Sequence, residues 1–311
     1  MYKTYKRFLS MILAVATMFV FFVTPTGAEN LSSKVNILTG EKEVIINEYQ
    51  AFKELQSTSM EELRQNGYTE REISQIKSFN YRDALLERAQ KSESELRAYG
   101  YTNSEIETLK SYLEGKPITE EFLLASSAQC TSKFESTSAS SSSISLRYVW
   151  EWSKVPIYTL DDMVALRWQG VDDAGHELIL RRGSSYCKVN YYYLLSGDKE
   201  TTRNFSPEAD PDFNAIHCGF YVMTSKFDPY TEAWAKSGEL GVKLDKSGYL
   251  GINYINVAGK YGHATTTLGA SIGVNYPNPA LSISFTPETK VEELALSVYE
   301  ITKSGDAIDI G

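Results

Sequence analysis

The chain has 311 residues, of which 42% are hydrophobic, and its net charge is −9 at pH 7. That length is sufficient for two domains that each bury a core of their own. The acidic balance, without an evident run of Lys and Arg, argues against nucleic acid and an anionic membrane surface as partners, because both are bound through basic patches.

Residues 1–28 have the order of basic, apolar and small residues that is typical of a secretory signal peptide. Lys3, Lys6 and Arg7 precede an apolar run over Phe8–Val23, and small residues end the segment at Ala28. The apolar run is slightly short for a helix that spans a bilayer. We therefore predict cleavage near Ala28 and a secreted, extracellular protein without stable membrane insertion. An uncleaved membrane anchor is the alternative.

Residues 29–125 are predicted to form a helical domain that contains two copies of a 33-residue repeat, 47–79 and 80–112. The segment Leu63–Thr69 (LRQNGYT) matches Leu96–Thr102 (LRAYGYT) at this offset. Self-similarity at a fixed period is typical of stacked helical units. We expect three short helices in each copy, which in the first copy lie near Glu48–Ser57, Met60–Asn66 and Glu70–Phe79. Such a pair could be a scaffold only, or it could present a surface for another protein.

Each copy contains a Gly-Tyr-Thr corner between its second and third helices. The glycine can adopt the left-handed conformation that ends a helix, and the threonine can cap the next helix with a glutamate three residues later. The tyrosine can pack back on both helices. These predicted structural corners are Gly67, Tyr68 and Thr69 in the first copy and Gly100, Tyr101 and Thr102 in the second.

Residues 126–145 are predicted to be a flexible linker. About twelve of the twenty residues are Ser or Thr, which bury too little apolar surface to offset the entropy of ordering. We therefore expect the helical region and the remainder of the chain to be separate domains.

Residues 146–311 are predicted to form an antiparallel β-sandwich, because the hydrophobic period changes to two. One strand places Tyr148, Trp150 and Trp152 on one face, and a second run alternates Cys187 and Val189 with polar residues. An open barrel has the same pattern. The fold class is thus multi-domain, with an N-terminal all-α tandem repeat followed by an all-β sandwich.

The aromatic residues of the sandwich are weak candidates for ligand binding. Planar aromatic rings on an exposed strand face can stack on sugar rings. Tyr192 is predicted to face outward and is a surface candidate. Trp150 and Trp152 are weaker candidates, since bulky aromatic residues usually fill the core.

The three cysteines suggest one disulfide bond. Cys187 and Cys218 both lie in predicted strands of the sandwich, and exported proteins permit disulfides. Cys130 would then remain a free thiol or link two molecules. No cofactor and no metal site are predicted, because the acidic clusters lack calcium-loop spacing and the Cys/His spacing does not fit zinc.

An alternative interpretation is a secreted hydrolase of cell wall or peptides with Cys187 as nucleophile and His217 as base. The segment Ile216–Val222 loosely resembles the histidine strand of cell-wall cysteine peptidases. Those enzymes place their cysteine at the start of a helix, whereas Cys187 is predicted to lie in a strand and to face the core.

A second alternative is a membrane-active toxin, because residues 267–275 alternate between apolar and small or polar side chains as in an inserting β-hairpin.

The function that we favour is that of an exported, non-catalytic binding protein. It would act at or outside the cell surface, on an extracellular protein or glycan.

Overall fold

The computed structural model describes residues 35–36, 44–65, 68–159, 161–210, 214–226, 232–264, 274–275, 283–285, 291–293, 297–304 and 306–309. The predicted signal peptide lies outside these residues, as do Gly67 and most of the predicted hairpin 267–275. No helix in the described part of the chain combines the length and the apolar composition that a membrane span requires.

Seven α-helices occupy the N-terminal part of the described chain. They are α1 (Glu48–Ser57), α2 (Met60–Gln65), α3 (Glu70–Ser78), α4 (Tyr81–Ala89), α5 (Glu93–Ala98), α6 (Asn103–Leu113) and α7 (Glu120–Ser126). The first three helices confirm the helices predicted for residues 48–79 to within one residue at each end.

The corner at Gly100 has the predicted geometry. Gly100 has φ +95°, and the backbone N–H of Tyr101 donates to the carbonyl of Leu96 at 3.0 Å, as in a Schellman turn. Thr102 then begins α6 with a capping box that includes Glu105. One short segment therefore ends α5, begins α6 and sets the angle between them.

The strands are, in chain order, β1 (Val35–Asn36), β2 (Val44–Asn47), β3 (Gln129–Ala139), β4 (Ser143–Trp152), β5 (Asp161–Asp172), β6 (Glu177–Leu178), β7 (Leu180–Tyr193), β8 (Lys199–Phe205), β9 (Glu208–Asp210), β10 (Ala215–Tyr221), β11 (Ala233–Lys246), β12 (Ile252–Ala264), β13 (Val274–Asn275), β14 (Ser284–Phe285), β15 (Val291–Glu293), β16 (Ser297–Thr302) and β17 (Asp306–Asp309).

The strands form two large antiparallel sheets. Sheet I has the order β1-β17-β16-β12-β5-β10-β9, with β15 added to β12 and β6 added to β5. Sheet II has the order β2-β3-β4-β11-β7-β8, and β13 and β14 form a further two-stranded sheet. Between the sheets the Trp150 ring of β4 stacks on Phe220 of β10, with centroids 5.3 Å apart. The inward faces of the two sheets therefore meet in a common core, as in a sandwich.

The predicted flexible linker at residues 126–145 is wrong. Most of this segment forms β3 and the start of β4, and β3 pairs with β2 on one side and β4 on the other. Its inward face is Cys130, Ser132 and Phe134, each at most 4% exposed. The Tyr148 hydroxyl donates to the hydroxyl of Ser132 at 2.8 Å, so this serine is buried without losing its hydrogen bonding. The segment thus has the two-residue period of inward-facing side chains that is typical of a strand, although its composition is mostly polar.

The predicted division into a helical and a sheet domain is also wrong. The described residues from 35 onward form one compact unit, and buried residues of the helices and of both sheets belong to one hydrophobic cluster. Phe52 of α1 and Phe79, directly after α3, both pack on Tyr158 between β4 and β5, with centroids 5.4 and 4.9 Å apart. The helices thus cover part of the sheets and share their core.

Candidate functional site

Cys187 lies in the core and cannot serve as an accessible nucleophile. It is on β7 of sheet II, fully buried, and its thiol lies against that of Cys218 on β10 of sheet I. The hydrogen bond with Cys218, together with burial, raises the pKa of the Cys187 thiol. A catalytic cysteine needs the opposite, a lowered pKa and access to substrate.

His217 does not meet Cys187. It precedes Cys218 on β10, and because successive side chains of a strand alternate, it lies on the other face of sheet I. Its Nε2 lies 3.5 Å from a carboxylate oxygen of Glu208, and burial lowers the His217 pKa despite that carboxylate. The structure therefore contradicts the proposed Cys187–His217 catalytic pair.

The cysteines are free thiols in the structure, and all three are buried. Cys187 and Cys218 face each other across the sandwich, so they are neighbours as predicted. The predicted disulfide bond between them is not formed. Cys130 lies on the inward face of β3 and is 0% exposed, so the suggested link between two molecules has no accessible sulfur.

Trp150 and Trp152 are core residues and form no binding platform. They are 2% and 1% exposed, because both lie on the inward face of β4. Tyr192 has the predicted outward orientation and is partly exposed on β7. Of the three weak aromatic candidates, Tyr192 alone is on a surface.

The outer face of sheet II carries a groove with a volume of about 790 Å³. It crosses β3, β4, β7 and β11, and we call it the outer groove. Four cations and three carboxylates line it, in a chain whose net charge is negative. The charged lining residues are Lys133, Glu135, Arg147, Glu151, Lys188, Lys236 and Glu239.

Ion pairs hold the central charges of the outer groove in place. The Arg147 guanidinium on β4 lies between two carboxylates, pairing with Glu135 of β3 and with Glu239 of β11, the latter at 3.0 Å. Glu239 also lies 3.3 Å from the Lys188 ammonium of β7. Four neighbouring strands are thereby joined by one charged row, which restricts the rotamers of these long side chains.

Two tyrosines stand beside this charged row, each with an ammonium over its ring. The Tyr186 ring covers Gly241, where a Cβ would lie only 2.4 Å from ring atoms. The Lys188 ammonium is 4.7 Å from the Tyr186 centroid, and the Lys236 ammonium is 5.1 Å from the Tyr192 centroid. Such cation–π contacts place a positive charge directly next to a flat apolar surface.

An amide completes this face. The Asn190 side chain lies between the two tyrosines on β7, donates to Ser237 at 3.1 Å and accepts from Thr202 at 2.8 Å. Of these residues, only Tyr192 was predicted from the sequence as a surface candidate. Alternation over residues 186–192 places Tyr186, Lys188 and Asn190 on the same outward face, and that signal could have identified them.

A second polar cluster joins the helices to sheet I and is closed to solvent. Its centre is His263 on β12, whose Nδ1 lies 2.8 Å from Asp162 of β5 and whose Nε2 lies 3.7 Å from Glu48 at the start of α1. All three residues are at most 1% exposed. Burial opposes the charge on His263, but the two carboxylates dominate and raise its pKa to about 10.

The neighbours of this cluster satisfy both carboxylates. Glu48 accepts from Tyr81 of α4 at 2.9 Å and from the backbone N–H groups of residues 157 and 158. Burial alone would raise the Glu48 pKa, but His263 and these donors keep it below its ordinary value. Tyr261 donates to Asp162 and accepts from the Trp152 indole at 3.0 Å.

This cluster is a structural element, because no ligand can reach groups that are buried to this degree. No local sequence pattern connects His263 with Asp162, which lies 101 positions away in the chain. Within the described residues, no group of three or more His, Cys, Asp or Glu side chains is placed to hold a metal ion.

Comparisons with known proteins give no family. No family model matches the chain, and no curated protein matches it. Among solved structures, AvmM, described as catalysing macrocyclization in alchivemycin A biosynthesis, aligns with 58% of this chain and 89% of its own chain. The sequence identity is 12% and the TM-score is 0.28, so this similarity supports no inference about activity.

Proposed function

We propose that the chain is an exported, non-catalytic binding protein that binds an acidic glycan in the outer groove. The outer groove and the two tyrosines beside it carry this proposal, because together they place flat aromatic surfaces, a fixed amide and charged groups on one solvent-facing sheet. The buried sulfur and imidazole groups offer no comparable access.

The arrangement of charge and ring favours an acidic sugar over a neutral one. A sugar ring presents an apolar face that can stack on Tyr186 or Tyr192. The ammonium beside each tyrosine, from Lys188 or Lys236, would then meet a carboxylate of the same sugar residue. A neutral sugar would displace these ammonium groups without replacing their interactions.

The helical part is proposed to be a duplicated scaffold that covers part of the sheets. Equivalent contacts at an offset of 33 positions support the duplication. The Lys77 ammonium donates to the carbonyls of Gln56 and Thr58, and the Lys110 ammonium donates to those of Ala89 and Lys91. Likewise the N–H of residue 68 donates to the carbonyl of residue 63 at 3.0 Å, as residue 101 does to residue 96.

Export through cleavage near Ala28 remains part of this proposal, and it rests on the order of charged, apolar and small residues in the leader. N-terminal sequencing of the protein recovered from culture medium tests it. The expected first residue is Glu29, and recovery of the full-length chain in the membrane fraction would contradict it.

The binding proposal is tested by affinity electrophoresis through a gel that contains soluble polygalacturonate, with neutral dextran in a parallel gel. We expect the wild type to be retarded by polygalacturonate alone. A variant with Tyr186→Ala and Tyr192→Ala should bind about tenfold more weakly, because both stacking surfaces are removed.

The matched control is Tyr221→Ala, which removes a tyrosine that is 41% exposed on β10 of sheet I. It should be retarded like the wild type. Equal retardation of the double variant, or equal retardation of the wild type in both gels, would contradict an acidic-glycan site in the outer groove.

A further inference from the structure

One end of the sandwich exposes three large apolar side chains together. Ile179, Tyr249 and Leu250 are 75%, 103% and 59% exposed, and Tyr249 is the most exposed large apolar residue in the described chain. We call these three residues the apolar tip. Single exposed apolar residues are ordinary, but a group at one loop end indicates an interaction site.

The backbone brings the apolar tip together from distant parts of the chain. The N–H of Ser247 donates to the carbonyl of Ile179 at 3.2 Å, which ties the β11–β12 connection to the start of β7. The N–H groups of Lys246 and Ile252 donate to the β3–β4 turn at 2.9 Å. The connection that presents Tyr249 and Leu250 is therefore anchored at both ends.

Basic residues surround the apolar tip. Arg181 and Arg182 follow Leu180 at the start of β7, and both are exposed. Lys243 and Lys246 are on the end of β11 that pairs with the start of β7. The Lys246 ammonium lies 3.5 Å from the carbonyl of Tyr249, next to the tip itself.

The acidic residues near the apolar tip are fewer or already paired. Asp245 lies 3.2 Å from the Lys243 ammonium, and Asp173 lies 2.7 Å from the Lys303 ammonium. Asp172 at the end of β5 is buried and lies 3.4 Å from the His176 imidazole, whereas Glu177 on β6 is exposed. With the two lysine ion pairs left out, Arg181, Arg182 and Lys246 outnumber the exposed carboxylate, so this end of the molecule is locally basic, although the whole chain carries −9.

We propose that the apolar tip docks on the surface of an anionic lipid bilayer. An aromatic ring and two aliphatic side chains can enter the boundary between headgroups and acyl chains, while the surrounding Arg and Lys groups attract the lipid phosphates. Three side chains are too few for a stable protein interface, whereas lipid docking needs only such a small apolar area combined with basic charge. The docking is peripheral and involves no membrane-spanning segment.

The test is sedimentation of the chain from Glu29 onward with vesicles of phosphatidylcholine that contain about 30% phosphatidylglycerol. Vesicles of phosphatidylcholine alone are used for comparison. The wild type should sediment with the anionic vesicles, and raised salt should release it. A variant with Tyr249→Ser and Leu250→Ser should bind about tenfold more weakly, because it loses most of the apolar area. A variant with Arg181→Gln and Arg182→Gln should lose much of the salt dependence.

The matched control is Leu195→Ser, which removes an apolar side chain that is 66% exposed in the β7–β8 connection. It should sediment like the wild type. The proposal is overturned if the wild type stays in solution with both vesicle types, or if the tip variant and the control bind alike. It is also overturned if the wild type forms dimers in sedimentation velocity that the tip variant lacks, since the tip would then bind a second copy.

Discussion

His263 shows how a single buried cation can join two layers of a protein. It lies between Asp162 of β5 and Glu48 of α1, so its charge attracts the sheet and the helices at once. Removing one member of a buried charged group is costly, because it leaves the other charges without compensation. The helices are therefore held on sheet I by electrostatics as well as by ring packing.

This arrangement predicts that stability falls as the pH rises above neutrality. The pKa of His263 is raised from 6.5 to about 10, so its contribution is complete below the lower value and is lost as the pH rises toward the higher one. We expect a loss on the order of 3 kcal/mol in the unfolding free energy between about pH 6.5 and pH 9. Urea denaturation at a series of pH values measures it.

The same cluster predicts a loss of stability in acid. The Glu48 pKa is lowered from 4.5, so its contribution is present above that value and is lost as the pH falls through the folded pKa. His263→Gln should flatten the alkaline side of the profile. If that variant does not fold, the imidazole of the wild type can be titrated by NMR, and a titration near pH 6.5 would contradict the charged state.

At the scale of secondary structure, the α5–α6 corner is where helix geometry and docking meet. Gly100 has a positive φ, and a Cβ at this position would lie 2.6 Å from the carbonyl oxygen of Ser153 after β4. The N–H of Val155 donates to the carbonyl of Tyr99 at 2.9 Å, so the two segments are in direct contact. The glycine is thus needed for the turn and for the approach of the sheet.

Gly100→Ala is expected to destabilise the protein more than Gly115→Ala. Both glycines have φ +95°, but nothing lies within 4 Å of a Cβ at Gly115, which follows α6. Gly115→Ala should cost about 1 kcal/mol through backbone strain alone. Gly100→Ala should cost about 2–4 kcal/mol, because the clash with the Ser153 carbonyl is added. Urea denaturation measures both variants. If Gly100→Ala and Gly115→Ala unfold with equal midpoints and slopes, the corner does not contact the sheet as described.

At the scale of the whole molecule, one core predicts one unfolding transition. Trp150 and Trp152 belong to the hydrophobic cluster that also contains Leu85 of α4 and Leu96 of α5. Helical circular dichroism and tryptophan fluorescence should therefore lose their native signals at the same denaturant concentration. Two separate transitions would restore the two-domain interpretation.

The serine-rich segment should resist proteolysis in the native protein. Residues 129–132 have strand partners on both sides and the rest of β3 pairs with β4, and protease cleavage requires a chain that can leave its sheet. We expect limited digestion with proteinase K to leave this segment intact. Early cleavage between residues 129 and 139 into a helical and a sheet-rich fragment would contradict the structure.

The elements with local signals were predictable from the sequence. The three helices of residues 48–79, the corner at Gly100 and the inward face of Trp150 and Trp152 follow from caps, glycine positions and the hydrophobic period, which act between near neighbours. The linker was mispredicted, because its many serines give it the composition of a disordered chain. Burial of Ser132 depends on a hydrogen bond from Tyr148, which lies 16 positions away in the chain.

The sequence by itself determined the local structure. It predicted helices early in the chain, followed by strands in which apolar and polar residues alternate. Only the tertiary structure decided that these elements share one core, that Cys187 faces Cys218 and not His217, and that the Glu48, Asp162 and His263 side chains meet. The outer groove and the basic surround of the apolar tip are decided in the same way. The physical reason is that burial and charge pairing depend on distance in space, whereas caps and periodicity depend on distance along the chain.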